Sequence, residues 1–246
     1  MLPNVIKGAS KPVKDWVRRE FNRRGYEILA EPFDHRLVQM MDHFGIDTVI
    51  DGGANVGQYG STLRRAGFKG RILSVEPLSS AFAELSAAAG PDPLWTAERM
   101  AFSDSEGSID MNIAANSVSS SALPMLRAHS DADPDSVFIG KESAPSSSLD
   151  AFVKRHDIDP AVTMLKLDVQ GYEGTALAGA TESIGRFAAA QMELSYVPLY
   201  DGQWLADEVV EFLRKHGYEF WMFDPAAMYE PGTRRMLQCD GIFVRA

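Results

Sequence analysis

At 246 residues, the chain is long enough for one domain with a small extension. Hydrophobic residues make up 45% of it and aromatic residues 10%, which suffices for a packed core and excludes a globally disordered chain. With 24 basic and 34 acidic side chains, the formal net charge is −10. This charge argues against a nucleic-acid partner, because most of the surface would repel phosphate.

The first predicted element is a basic amphipathic helix near the N-terminus. Residues 1–24 carry seven basic and two acidic side chains, a local charge of +5 that leaves −15 for the rest of the chain. Four apolar side chains recur here at roughly helical spacing: Val13, Trp16, Val17 and Phe21. We favour the interpretation that this stripe packs on the chain's own domain. The alternative is peripheral contact of the helix with an anionic membrane or a lipid-linked substrate.

Helices and strands then alternate along the chain. In chain order the predicted elements are helix 33–44, strand 47–51, helix 56–66, strand 71–76, helix 79–89, strand 94–102, strand 108–113, strand 162–168, helix 175–184, strand 188–194, helix 205–216, strand 218–223 and strand 241–244. The strand at 108–113 alternates like an antiparallel addition. The others predict a Rossmann-like, doubly wound α/β fold with a mainly parallel sheet and helices on both faces.

The chain is expected to divide into an N-terminal helical extension, residues 1–46, and a main domain, residues 47–246. Within the main domain, the segment 116–148 departs from the alternating pattern because it is rich in Ser, Asp and Pro. A connection of this length inside a compact domain is usually a functional loop or a disordered linker. We therefore expect it to be either a lid over the substrate or a surface insertion.

A glycine-rich turn follows the first strand, in the sequence VIDGGANVGQY at 49–59. Asp51, Gly53, Asn55 and Gly57 form an acidic-x-G-x-N-x-G pattern, whereas the dinucleotide pattern G-x-G-x-x-G would need glycine in place of Ala54. Glycine lets the backbone approach a ligand closely, and the next helix offers unpaired N–H groups at its start. A leading acid suits a ligand with an ammonium and a sulfonium group, but not a pyrophosphate.

The ends of the next two strands carry further candidates for a nucleoside site. Glu76 lies 25 positions after Asp51 and directly before Pro77, where a carboxylate accepts hydrogen bonds from both ribose hydroxyls. An acid there also repels a 2′-phosphate, which argues against NADP. After the third strand, Ser103 and Asp104 are candidates for contact with an adenine amino group.

Two later strand ends supply candidate catalytic acids, Asp168 and Glu193. Because the carboxyl ends of parallel strands meet at one edge, we expect both to lie near Asp51 and Glu76. The pair would activate a hydroxyl as a base, or jointly hold a divalent cation such as Mg²⁺ that does so. Glu173, by contrast, fits the first turn of a helix, where the dipole favours an acid. The five histidines show no metal-ligand spacing.

Six short segments between residues 49 and 245 together resemble the FkbM-type methyltransferase family: VIDGGANVGQYG, VEP, AFSDSEG, SSSLDAF, LKLDVQGYEG and MLQCDGIFVR. The resemblance implies that residues 47–246 bind S-adenosylmethionine, with Asp51, Gly53 and Asn55 at the methionine part and Glu76 at the ribose. It also implies O-methylation of a hydroxyl, and we expect this hydroxyl to belong to a sugar in a glycoside, glycolipid or natural product. The alternatives are an NAD-dependent oxidoreductase on the same fold and a cofactor-binding partner subunit without catalytic activity.

The remaining expectations concern the acceptor and the compartment. Tyr200 and Trp204, close after the fifth strand, could supply a flat face for a sugar ring, although core packing is the commoner fate of such residues. The single cysteine, Cys239, fits a reducing compartment, and no apolar run is long enough to span a membrane. We therefore expect a cytoplasmic protein.

Overall fold

A computed structural model describes residues 10–25 and 32–245 of the chain. Its central sheet has seven strands: β1 Thr48–Gly52, β2 Arg71–Val75, β3 Trp95–Glu98, β7 Thr163–Leu167, β8 Ala189–Ser195, β9 Tyr218–Tyr229 and β10 Met236–Arg245. Three more strands form a separate small sheet: β4 Ala101–Phe102, β5 Gly107–Ala114 and β6 Phe138–Ser147. The helices are α1 Lys11–Arg23, α2 Phe33–His43, α3 Gln58–Ala66, α4 Ser79–Ala89, α5 Arg127–Ala132, α6 Leu149–Arg155, α7 Glu173–Ala178 and α8 Ala206–Lys215.

The central sheet has the strand order β3-β2-β1-β7-β8-β10-β9. All neighbours from β3 to β8 run parallel, and β10 inserts antiparallel between β8 and β9. The strand order reverses between β1 and β7, and in such open sheets the ligand crevice lies at this switch point. The predicted doubly wound, mainly parallel α/β fold is confirmed.

Buried apolar side chains fill both faces of the sheet, as the near-continuous apolar strands require. Helix α2 belongs to this core, because Phe33, Leu37 and Met41 are buried in one cluster with Val49 and Ile72 of the sheet. Helix α2, which belongs to the predicted N-terminal extension, is thus packed against the main sheet. The boundary at residue 46 stays a prediction.

The small sheet corrects two sequence predictions. The predicted strand 94–102 is two strands, since β3 joins the central sheet while β4 pairs with β6. The segment 116–148 contains helix α5 and all of β6, which pairs antiparallel with β5 over eight positions. Its Ser-rich composition hid a strand because β6 is largely solvent-exposed and so lacks an apolar run.

Helix α7 is shorter than predicted, ending at Ala178 instead of residue 184. The carboxylate of Asp150 accepts hydrogen bonds from the backbone N–H groups of Glu182 and Ser183, both 2.9 Å long. A side chain that captures these N–H groups holds the chain in a turn there, in competition with the helical pattern.

Candidate active site

The predicted glycine-rich turn lies between β1 and α3 and touches the end of β7. Gly53 has a φ of +73°, and a Cβ at this position would lie 1.8 Å from the carbonyl oxygen of Asp168. Asn55 also has a positive φ, +47°, and its Oδ1 accepts a hydrogen bond from the N–H of Val56 at 2.7 Å. The turn therefore brings bare backbone to the carboxyl edge of the sheet, where no side chain would fit at Gly53.

Glu76 is held at the end of β2 by the backbone of two neighbouring segments. Its Oε2 accepts the N–H of Asn55 and its Oε1 accepts the N–H of Leu78, each at 2.9 Å. Burial raises the pKa of the Glu76 carboxyl to about 7, against the lowering effect of these two hydrogen bonds. The two backbone contacts fix the direction of a side chain that otherwise has free rotamers.

These residues line a cavity of about 430 Å³. Gly53, Asn55 and Glu76 belong to its wall, and so do Asp168 and Asp240. Because β2 and β10 are four strand spacings apart in the sheet, the cavity extends roughly 19 Å across the carboxyl edge. It is thus long enough to take two ligands side by side, and we call its two parts the Glu76 end and the Asp240 end.

A row of polar side chains crosses the sheet under this cavity. In the strand register Ser74 of β2, Asp51 of β1, Lys166 of β7 and Gln191 of β8 are consecutive partners, so their side chains share one face. All four are buried. Polar side chains inside otherwise apolar strands are costly unless they find polar partners. Here Asp51 pairs with Ser74 and Lys166, and Gln191 pairs with Tyr59 and Asp240.

Lys166 is the centre of this row, and sequence reasoning missed it. Its Nζ lies 3.2 Å from Oδ1 of Asp51 and 3.5 Å from Oδ2 of Asp168, and it donates to the carbonyl of Gly53 at 3.1 Å. Burial opposes its charge, but Asp168 and Asp51 raise the pKa of Lys166 above its usual value. Lys166 therefore carries a positive charge that ties the glycine-rich turn to β7. A lysine within the apolar strand LKLD was the available signal.

Asp51 does not line the cavity. Its carboxylate is fully buried, accepts a hydrogen bond from Ser74 Oγ at 2.9 Å and pairs with Lys166. Asp51 therefore lies beneath the cavity, where it pairs with Lys166, and does not reach the cavity wall at which the methionine part of a cofactor was expected.

Asp168 and Glu193, the predicted catalytic pair, lie on opposite sides of one glutamine. Nε2 of Gln170 donates to Asp168 Oδ1 at 2.8 Å and to Glu193 Oε1 at 2.9 Å. Asp168 lines the cavity, whereas Glu193 is buried behind it and also accepts from Gln238. Burial, and then the charge of Asp168, raise the pKa of Glu193 well above its usual range. Glu193 thus reaches Asp168 only through Gln170 and does not face a ligand.

Asp240 in β10 lies at the cavity wall, where Glu193 was expected from the sequence. Its Oδ2 accepts a hydrogen bond from Nε2 of Gln191 at 2.7 Å. Oε1 of the same glutamine accepts from the hydroxyl of Tyr59 at 2.7 Å. Burial, and then the charge of Asp168, raise the pKa of Asp240 to about 7. Only the polar Gln191 in the apolar strand β8, which pairs with β10, hinted at this site in the sequence.

Three other predicted cofactor residues lie outside the cavity wall. Gly57, with a φ of +88°, begins α3 and faces Leu85 and Trp95, so that it packs the helix on the sheet. Ser103 donates to Asp104 within a loop beyond β4, and neither residue lines the cavity. The stretch just before them, 100–102, does line it with its apolar side chains.

The segment 116–148 contributes part of the cavity wall through Ser117, Val118, Ser120 and Ala122. Ser117 Oγ accepts from Asn55 Nδ2 at 3.2 Å, so this segment touches the glycine-rich turn directly. The segment thus borders the cavity, and the choice between a lid and a surface insertion stays a prediction.

The same segment is also joined to the loop after β7. Ser121 Oγ donates to the carbonyl of Gln170 at 2.7 Å, and the hydroxyl of Tyr200 donates to Gln170 Oε1 at 2.8 Å. Tyr200 also contacts His129, and both side chains are fully buried. The prediction that Tyr200 offers a sugar-binding face is wrong, because its ring is enclosed in this network. Trp204 packs against the place where a side chain at Gly174 would lie.

Within the described residues, no group of three or more His, Cys, Asp or Glu side chains is close enough to hold a metal ion. Over the same ranges, no helix has the length and apolar character needed to cross a bilayer.

The sheet order with its single antiparallel strand β10, and the cavity at the switch point, define a Rossmann-like methyltransferase fold. The sequence profile of the methyltransferase FkbM domain matches residues 51–220, more than two thirds of the chain. The chain therefore belongs to the FkbM methyltransferase family, whose members use S-adenosylmethionine. A search of curated protein sequences finds no significant match.

Solved structures with a similar fold are distant in sequence. TehB from Haemophilus influenzae is 9% identical with a TM-score of 0.45, the alignment covering 94% of this chain and 66% of that one. The precorrin-6y C5,15-methyltransferase from Geobacter metallireducens is 11% identical with a TM-score of 0.43, covering 86% and 87%. Fibrillarin from Aeropyrum pernix, solved with bound S-adenosylmethionine, is 13% identical with a TM-score of 0.42, covering 80% and 66%. At these scores the similarities carry no functional argument.

Proposed function

We propose that the protein transfers a methyl group from S-adenosylmethionine to a sugar hydroxyl in a glycoside, glycolipid or natural product. The observation that carries this proposal is the single cavity that joins Glu76 to the carboxylates of Asp168 and Asp240. One end suits a nucleoside, and the other suits a group that must lose a proton.

The Glu76 end fits the cofactor. The backbone at Gly53 is open to the cavity and leaves no room for a side chain, while Glu76 presents a fixed carboxyl group to ribose hydroxyls. The cavity volume of about 430 Å³ is within the range of small-molecule sites. Gly53, Asn55 and Glu76 would hold S-adenosylmethionine, which when bound supplies a methyl group on a positively charged sulfur.

The Asp240 end supplies the proton acceptor. A hydroxyl oxygen that gains a methyl group must release its proton, and a carboxylate within hydrogen-bond reach can take it. Asp240 has a pKa of about 7, near the optimum for a general base at neutral pH. Asp168, paired with Lys166 at 3.5 Å, keeps its direction through Gln170 and can hold the acceptor in line.

Polar groups in the cavity wall support a sugar as acceptor. Ser117 and Ser120 contribute hydroxyl groups, and Gln191 and Asp240 contribute amide and carboxylate groups at the Asp240 end, which suits hydrogen bonding to a polyol. Tyr59 adds an aromatic side chain to the wall at the same end.

The proposal is tested by a transfer assay with labelled S-adenosylmethionine and fractions of saccharides, glycolipids, phenols, protein and RNA. We expect label on a saccharide hydroxyl, strongly reduced by Asp240→Asn but not by Asp104→Asn, an acid outside the cavity. Label on protein, RNA or a phenol alone would contradict the sugar assignment. Two calorimetric results address the alternatives: NAD binding more tightly than S-adenosylhomocysteine favours an oxidoreductase, and donor binding without transfer to any fraction favours a non-catalytic subunit.

A further inference from the structure

Helix α1 exposes apolar side chains that no other part of the described chain covers. Trp16 is 60% exposed and Val13 is 48% exposed, while Val17 and Phe21 are half-buried. Their spacing places all four on one side of the helix. The favoured interpretation from the sequence, in which the stripe packs on the chain's own domain, is therefore wrong for Trp16 and Val13.

The same helix concentrates positive charge around this apolar side. Arg19 and Arg23 are exposed on the flank of this side, and Lys11 is exposed on the opposite face of the helix. Glu20 is the acid nearest the apolar positions on the helical wheel, and Arg24 and Arg23 pair with it at 3.0 Å and 3.6 Å. The segment 1–24 thus carries +5 on a chain whose remainder carries −15.

This combination selects one class of partner. A nucleic acid would attract the basic side chains but would leave the apolar side chains of Trp16 and Val13 in water. A bilayer surface with anionic headgroups satisfies both features, because an amphipathic helix lies in the interface with its apolar side in the acyl boundary and its basic residues at the phosphates.

We propose that helix α1 binds the surface of an anionic lipid bilayer, with Trp16 and Val13 inserted at the headgroup–acyl boundary and the flanking basic side chains on lipid phosphates. The proposal goes beyond the proposed function and does not depend on it, since lipid binding is measured without any methyl transfer.

The test is co-sedimentation of the full chain with vesicles of phosphatidylcholine alone or with one third phosphatidylglycerol. We expect the chain to bind the anionic vesicles with about tenfold higher affinity than the neutral vesicles. High salt should weaken the binding to the anionic vesicles. The double variant Val13→Ala/Trp16→Ala should lose about tenfold in affinity for the anionic vesicles. The double variant Lys11→Gln/Arg19→Gln should lose affinity and part of the salt dependence.

The matched control is Trp221→Ala/Phe223→Ala in β9, where both side chains are 51% exposed and the surrounding stretch 219–224 contains no basic residue. We expect this variant to bind vesicles like the parent chain, and circular dichroism with a melting curve checks that every variant is folded. Three results would overturn the proposal: no binding to anionic vesicles, an equal loss in the β9 control, or tighter binding to RNA than to vesicles. A dimer that buries Trp16 in the absence of lipid would overturn it too. Light scattering would detect the dimer, and protection of the Trp16 fluorescence from a soluble quencher would show that Trp16 is buried in it.

Discussion

The two ends of the cavity are built in different ways. The Glu76 end is made by neighbouring parts of the chain: one turn of five residues, and a carboxyl group held by backbone N–H groups at the next strand end. The Asp240 end is assembled from strands far apart in sequence, through the register that aligns Lys166 with Gln191 and the hydrogen bond from Gln191 to Asp240. The first end depends on local backbone geometry, and the second depends on pairing across the sheet.

The largest effect is expected from a substitution in the glycine-rich turn at the Glu76 end. Gly53→Ala places a Cβ 1.8 Å from the carbonyl of Asp168, so that the turn or the end of β7 must move. We expect loss of detectable S-adenosylhomocysteine binding in calorimetry. The control is Gly202→Ala, where φ is +78° and no atom lies within 4 Å of the added Cβ. It bears only the left-handed backbone cost of about 1–2 kcal/mol and should bind like the parent. Equal binding by both variants would show that the close approach at Gly53 is not required.

This contrast also explains how much could be predicted from the sequence. The turn at Gly53 and the acid at Glu76 have fixed spacing along the chain, so both were found at the cavity wall. The alternation of strands and helices gave the fold for the same reason. Asp240 and Lys166 were missed because their partners lie across strands whose register no short pattern records. Glu193 was predicted at the crevice but lies behind Asp168, because an acid at a strand end can face either the crevice or the interior.

The second prediction concerns Asp240, the proposed proton acceptor at the Asp240 end of the cavity. Asp240→Asn keeps the shape and can still accept a hydrogen bond from Gln191, but it cannot take a proton. We expect kcat to fall about 10²–10⁴-fold with little change in KM for S-adenosylmethionine. In the parent enzyme kcat should rise with pH through about 7, since the carboxyl is inactive while protonated, and this rise should disappear in the variant. An unchanged pH profile would remove Asp240 as the base.

The third prediction tests the ion pair that joins the two ends. Lys166→Met leaves the fully buried Asp51 without its cation. Loss of one partner of a buried pair costs about 3–5 kcal/mol in unfolding free energy, which chemical denaturation can measure. The double variant Lys166→Met/Asp51→Asn removes the unpaired charge and should recover part of this loss, because the two sites are coupled. If the two single losses simply add, the pair does not stabilise the site as its geometry indicates.

The smallest effect is expected from a substitution of Glu193, and it distinguishes the role of Glu193 from that of Asp240. Glu193 lies behind Asp168, and burial raises its pKa well above 4.5, so that Gln resembles its protonated form. We expect Glu193→Gln to lower kcat less than tenfold, because Gln170 can still orient Asp168.

A carboxyl group whose pKa is raised on folding destabilises the native state as the pH rises above the pKa of the unfolded chain, since the unfolded chain then releases its proton more readily. The melting temperature of the parent should accordingly fall more steeply than that of the variant as the pH rises above 4.5. A loss of kcat as large as that of Asp240→Asn would return Glu193 to the catalytic role that the sequence assigned to it, and the two ends of the cavity would then differ less than their geometry indicates.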